Sequence, residues 1–143
     1  MIKAYCDGGS RGNPGPSAYA YVIYDDNWEV IDEYSCYQGI VTNNMAEHAG
    51  LNKLLHRLRH LKITDAIIYC DSILVVNQVL GKWQVKHDHL KPIAAESMVL
   101  RLQGGHELIH IKGHSGIRGN ERADELCNIT LNQVKEGTYV ERA

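Results

Sequence analysis

A change of hydrophobic period near residue 43 constrains this chain more than any other feature. Before it, over residues 2–7, 18–24 and 28–37, the pattern has the alternating look of half-buried strands. Asp25-Asp26-Asn27 between the second and third runs is turn chemistry, so those two form an antiparallel hairpin. After it, Leu51, Leu54, Leu55, Leu58 and Leu61 recur at three- and four-residue spacing, which predicts a helix over residues 45–60 capped by Asn43 or Asn44. Residues 66–70 are a short, nearly continuous apolar run, suited to a strand covered on both faces. Asp71-Ser72 stop that strand and start a helix through Leu80, with Gly81 at its end. A further helix is expected over 90–102, with Pro92 in its first turn, then a strand over 107–111 and a glycine-bearing loop over 113–119. The last helix spans 120–134, and residues 135–143 read as a mobile tail.

The order is therefore three strands, helix, strand, helix, helix, strand, helix. Helical crossovers force the later strands to be parallel, whereas the early hairpin is antiparallel. An α/β fold with a five-stranded mixed sheet and helices on its faces follows. At 143 residues, 44% of them hydrophobic, the chain supports one core and one domain. No apolar run approaches a membrane span and nothing near residue 1 resembles a signal peptide, so no membrane role is expected. The cysteines at 6, 36, 70 and 127 form no Cys-x-x-Cys pair, which excludes a zinc ribbon and a thioredoxin-like motif. They read as reduced and buried, hence cytoplasmic. A net charge of -2 gives no electrostatic sign of a nucleic-acid partner, unless some of the acids are metal ligands whose charge is offset locally.

Four acids stand where strands end or helices begin. Asp7 follows the first strand and precedes a loop, residues 8–16, rich enough in glycine and proline for backbone to lie close to a ligand. Glu47 lies four, seven and eleven residues before Leu51, Leu54 and Leu58, on the apolar stripe of its helix. Asp71 ends a strand whose last residues, Tyr69-Cys70-Asp71, repeat Tyr5-Cys6-Asp7, so neighbouring strands would set two aspartates side by side. Asp124 falls in the first turn of the last helix. Each has a purely structural reading: a turn residue for Asp7 and Asp71, a capping box with Asn44 for Glu47, a favourable helix dipole for Asp124. Together they describe ends that converge on one rim of a sheet, where carboxylates repel unless cations sit between them. All-oxygen ligation suits magnesium or manganese, and a pair of such ions is a device for phosphodiester displacement.

Asp7-Gly8-Gly9-Ser10 with Gly12-Asn13-Pro14-Gly15, Thr42-Asn43-Asn44-Met45-Ala46-Glu47, Asp71-Ser72, Lys112-Gly113-His114-Ser115-Gly116 and Asn120-Glu121-Arg122-Ala123-Asp124-Glu125 occur in the order and spacing of the type 1 ribonuclease H motifs. Over residues 1 to about 130 the chain resembles that family. The resemblance implies a ribonuclease H-like fold and an endonuclease that cuts the RNA strand of an RNA–DNA hybrid, leaving 3'-hydroxyl and 5'-phosphate ends. It makes Asp7, Glu47, Asp71 and Asp124 ligands of two Mg2+ ions, with Mn2+ as a substitute and Asp7 shared. It gives His114 a part in proton movement or product departure. Ser10, Asn13, Asn43 and Asn44 fall on the hybrid's minor-groove side, Thr42 near the DNA phosphate and Trp83 in the DNA-side channel.

Departures from the family pattern are equally specific. The span from Trp83 to Gly104 is too short for a basic helical handle, and the chain starts in its first strand with no N-terminal hybrid-binding module, which together imply weaker, salt-sensitive affinity. Ile73 and Ile40 stand where relatives carry hybrid-contacting polar or basic residues. A monomer is expected, with room for a separate protein partner. A same-fold DNA nuclease of resolvase or transposase type, or an inert hybrid-binding module, are the alternatives. The asparagines argue against the first and the full set of acids against the second.

Overall fold

The structure, a computed structural model, describes residues 1–141. Five strands, β1 (Lys3–Ser10), β2 (Gly15–Tyr24), β3 (Val30–Val41), β4 (Ile67–Cys70) and β5 (Glu107–His110), form one sheet in the order β3-β2-β1-β4-β5. The first three pair antiparallel, while β1–β4 and β4–β5 are parallel, as the crossovers require. Four helices follow the expected order: α1 (Asn43–His60), α2 (Ile73–Val79), α3 (Lys91–Gly104) and α4 (Arg118–Glu136). Between α2 and α3 the chain makes only a short 3-10 turn, Asp88–Leu90, so no handle helix is present there.

The helices divide between the two faces. Leu51, Leu54, Leu55 and Leu58 of α1 join Val75 and Val79 of α2, Leu100 of α3 and the sheet residues Ala4, Cys6, Ile23 and Ile68 in the larger core. Each of those leucines is essentially inaccessible, which contributes roughly 1.5–3 kcal/mol apiece. On the other face α4 sets Cys127 and Leu131 against Ala18 and Ala20. Small residues on β2 let this helix lie close.

Four local expectations shift, each for a physical reason. Thr42, not Asn43 or Asn44, caps α1: its hydroxyl accepts the Met45 N–H at 3.2 Å. Glu47 therefore lies two residues too deep for a capping box. β1 runs past Asp7 to Ser10, because β2 goes on pairing with it after its last β4 partner, Cys6 opposite Cys70. Helix α4 starts at Arg118, so Asp124 sits in its second turn, beyond the reach of the helix N-terminal partial charge. Of the expected tail, Lys135 and Glu136 belong to α4, and the Tyr139 hydroxyl accepts the Tyr37 N–H at 3.1 Å. Residues 142 and 143 lie outside the described residues.

Helix α1 and strand β1 touch backbone to backbone. A Cβ on Gly8 would lie 2.2 Å from the Ala46 carbonyl oxygen, and one on Gly50 would lie 2.5 Å from that of Asp7. Neither neighbour is a side chain that can swing away. Gly8→Ala should thus lower the unfolding free energy by at least about 2 kcal/mol in a denaturant titration, whereas Gly9→Ala, with open space around it, should be several-fold milder.

Candidate metal centre

The rim where β1 and β4 part company gathers the acids. Their ladder ends at Cys6 opposite Cys70, so the next residue of each chain, Asp7 and Asp71, emerges at the same level. Ser72 turns the chain into α2 by accepting the Val75 N–H, which fixes the end of β4. From above, the close-packed first turns of α1 bring in Glu47. Carboxylate oxygens of Asp7, Glu47 and Asp71 all lie within 4.8 Å of one another.

Such a cluster is electrostatically unhappy when empty. Burial, followed by the charges of Asp71 and Glu47, pushes the Asp7 carboxyl up to about 9, against the pull of the Gly8 backbone N–H. Glu47 is pushed up to about 7, chiefly by burial, despite a hydrogen bond from Ser72. Its Oε2 is buried and meets no hydrogen-bond donor among the described residues. An unpartnered carboxylate oxygen beside two further acids, with no thiolate or imidazole in the trio, fits hard divalent cations.

Asp124 and His114 line the same cleft, of about 250 Å3, but Asp124 stands outside the tight trio. Its carboxylate accepts from Asn128 at 3.4 Å. His114 is exposed, with a φ of 54° in the left-handed region, on the loop between β5 and α4. Gly113 brings that loop against Asp71, since a Cβ there would lie 2.9 Å from its Oδ2.

The polar residues flanking the acids are interlocked. Asn43 Oδ1 accepts from the Ser10 N–H at 2.8 Å and from its hydroxyl at 3.0 Å. Asn13 Oδ1 accepts the Asn43 N–H at 3.1 Å. With their oxygens engaged, both amides keep NH2 donors for a ligand. Asn44 instead opens on a groove of about 540 Å3 shared with Gln78, Lys82, Trp83, Lys86 and His87, and with Thr42 and Asn13 it borders a second hollow. Trp83 is 46% exposed there, and Ile73 and Ile40 are both exposed.

Two residues given no role at the sequence level also act here. Asn120, buried, donates to Asp71 Oδ2 at 3.1 Å and holds that carboxylate from α4. The signal was its place four residues before Asp124, on the same helix face. Arg11 lines the cleft and donates to Asn132 at 2.8 Å, tying the β1–β2 loop to α4. No spacing in the sequence announces that contact.

A model of the RNase H family matches residues 1–131. Ribonuclease HI of Helicobacter pylori is 37% identical over 136 residues, covering 90% of this chain and 91% of that protein. Bifunctional protein Rv2228c of Mycobacterium tuberculosis is 42% identical over 98 residues, covering 68% of this chain, which spans only 27% of that longer protein. Among solved structures, LC11-RNase H1 in complex with an RNA/DNA hybrid superposes with a TM-score of 0.83 at 33% identity, covering 94% of this chain and 99% of that one.

Because the folded Asp7 carboxyl titrates far above its unfolded value, the stability linked to its proton is complete below about pH 4 and is lost as pH rises towards 9. In chelator, the thermal midpoint should therefore fall between pH 5 and pH 9. Asp7→Asn should remove most of that decline and raise the midpoint at pH 8 by about 3 °C or more. Equal profiles for the two proteins would contradict the placement of Asp7.

Proposed function

The chain belongs to the RNase H family, and on that premise we propose that it is a metal-dependent endonuclease hydrolysing the RNA strand of RNA–DNA hybrids. The observation that carries this is the convergence of Asp7, Glu47 and Asp71 within 4.8 Å, next to a shelf of amides. Two divalent cations, Mg2+ or in its place Mn2+, would be held by Asp7, Glu47, Asp71 and Asp124, and when bound they activate water and stabilise the departing 3'-oxygen.

The protein's own groups do the rest. Asp7, the most buried of the trio, would supply charge to both ions, and Asn120 holds the Asp71 carboxylate in place. His114, on an exposed loop at the cleft edge, accepts or delivers the proton as the product departs. The NH2 groups of Asn13 and Asn43, with Asn44, donate to 2'-hydroxyls and base edges in the minor groove, and Ser10 braces them. This is how the RNA strand is told from DNA. Thr42 meets the DNA phosphate, while Trp83, with Lys82 and Lys86 beside it, receives the DNA strand. Cleavage on this account leaves a 3'-hydroxyl and a 5'-phosphate.

Incubating the protein with labelled hybrid, duplex DNA and duplex RNA, with Mg2+ or with chelator, tests this reading. Only the RNA of the hybrid should be cut, and only with metal. Asp7→Asn should lower turnover at least about a hundredfold while remaining folded. Cleavage of duplex DNA, or hybrid binding without cleavage, would overturn it.

A further inference from the structure

Among the described residues the cleft that holds the four acids is lined by one arginine and no lysine. That residue, Arg11, stands in the loop between β1 and β2, where its backbone N–H donates to the Pro16 carbonyl at 2.9 Å and fixes the root of the side chain. From there the guanidinium crosses to α4 instead of turning to the acids beside it. Its Nη2 donates to Asn132 Oδ1 at 2.8 Å, to Asn128 Oδ1 at 3.3 Å and to the Asn128 carbonyl at 3.5 Å.

These anchors are all neutral. Among the described residues Arg11 forms no ion pair, and its Nη1 and Nε meet no acceptor. One nitrogen thus holds the planar fork in place, while the other donors and the full charge remain free for a ligand.

Asn128 ties this arrangement to the metal centre. While its Oδ1 accepts from Arg11, its NH2 donates to the Asp124 carbonyl at 3.1 Å and to the Asp124 carboxylate at 3.4 Å. Asp124, Asn128 and Asn132 follow one another at four-residue intervals on one face of α4, so the guanidinium is anchored one to two turns, about 6–12 Å, along the helix from the fourth acid.

A fixed guanidinium with open donors, beside acids that would hold a phosphodiester through cations, selects a second phosphate. We infer that Arg11 is a further substrate-binding residue, which grips the RNA-strand phosphate next to the one being cut. This deepens the proposed function and rests on it. The DNA strand is assigned to the groove of Lys82, Trp83 and Lys86, beyond α2, whereas Arg11 is held by α4 on the opposite face of the sheet. Its phosphate therefore belongs to the RNA.

Hybrid affinity measured by anisotropy against salt, in Mg2+, tests this inference in the Asp7→Asn protein, which leaves the hybrid uncut. Adding Arg11→Gln should weaken binding about five- to tenfold at low salt and make the slope of log K against log salt shallower by about 1. Arg11→Lys, which keeps the charge and loses the fork, should keep the slope. A single uncharged methylphosphonate linkage beside the cut site on the RNA strand should weaken the protein that retains Arg11 and leave the Arg11→Gln protein unaffected. The same linkage in the DNA strand should affect the two proteins equally. Equal slopes with Arg11 and with Arg11→Gln, or coupling to a DNA-strand linkage instead, would overturn the inference and leave the proposed function standing. Failure of the protein with Arg11 to bind hybrid at all would overturn both.

Discussion

Everything at the proposed active site depends on how closely α1 lies against β1. Gly8 and Gly50 leave no side chain between the two backbones, and the contact is so tight that a methyl group at either position would meet a carbonyl oxygen. That approach sets Glu47 beside Asp7. The β1–β4 ladder then adds Asp71 by ending one residue earlier, at Cys6 and Cys70. Three acids are thus brought together by backbone packing, with the larger leucine core behind them opposing their repulsion.

The electrostatic consequence follows directly. Burial and the neighbouring carboxylates disfavour charge on Asp7 and Glu47, and both are pushed above their ordinary range. Cations relieve the repulsion, so the same packing that strains the metal-free protein prepares it for metal. Around the trio the protein grades its rigidity. Asn120 locks Asp71 from a buried position, and the Ser10–Asn13–Asn43 network fixes the amides, whereas His114 is left on an exposed loop. The proton role proposed for His114 fits that exposed placement.

Much of this was legible in the residues. The leucine stripe of α1 and the turn at Asp25-Asp26-Asn27 are local signals, and they placed helix and hairpin correctly because the same residues form the core and the turn. The twin Tyr-Cys-Asp endings foretold neighbouring aspartates. What was misread was either locally degenerate or non-local. Thr42, Asn43 and Asn44 are all good caps, and only the tertiary bonds that Asn43 accepts from Ser10 and donates to Asn13 show why it is otherwise engaged. Ile117 offers α4 no side-chain cap, so nothing local marked a start at Arg118. Tyr139 meets Tyr37 across more than a hundred residues.

Packing forces protons onto the acid cluster until cations displace them. Calorimetry of Mn2+ or Mg2+ binding at pH 7, in two buffers of different ionisation enthalpy, tests it directly. About one proton or more should be released per protein as metal binds, because Asp7 holds its proton well above that pH, and Asp7→Asn should abolish most of the release. Metal binding with no proton release, or no binding at all, would contradict it.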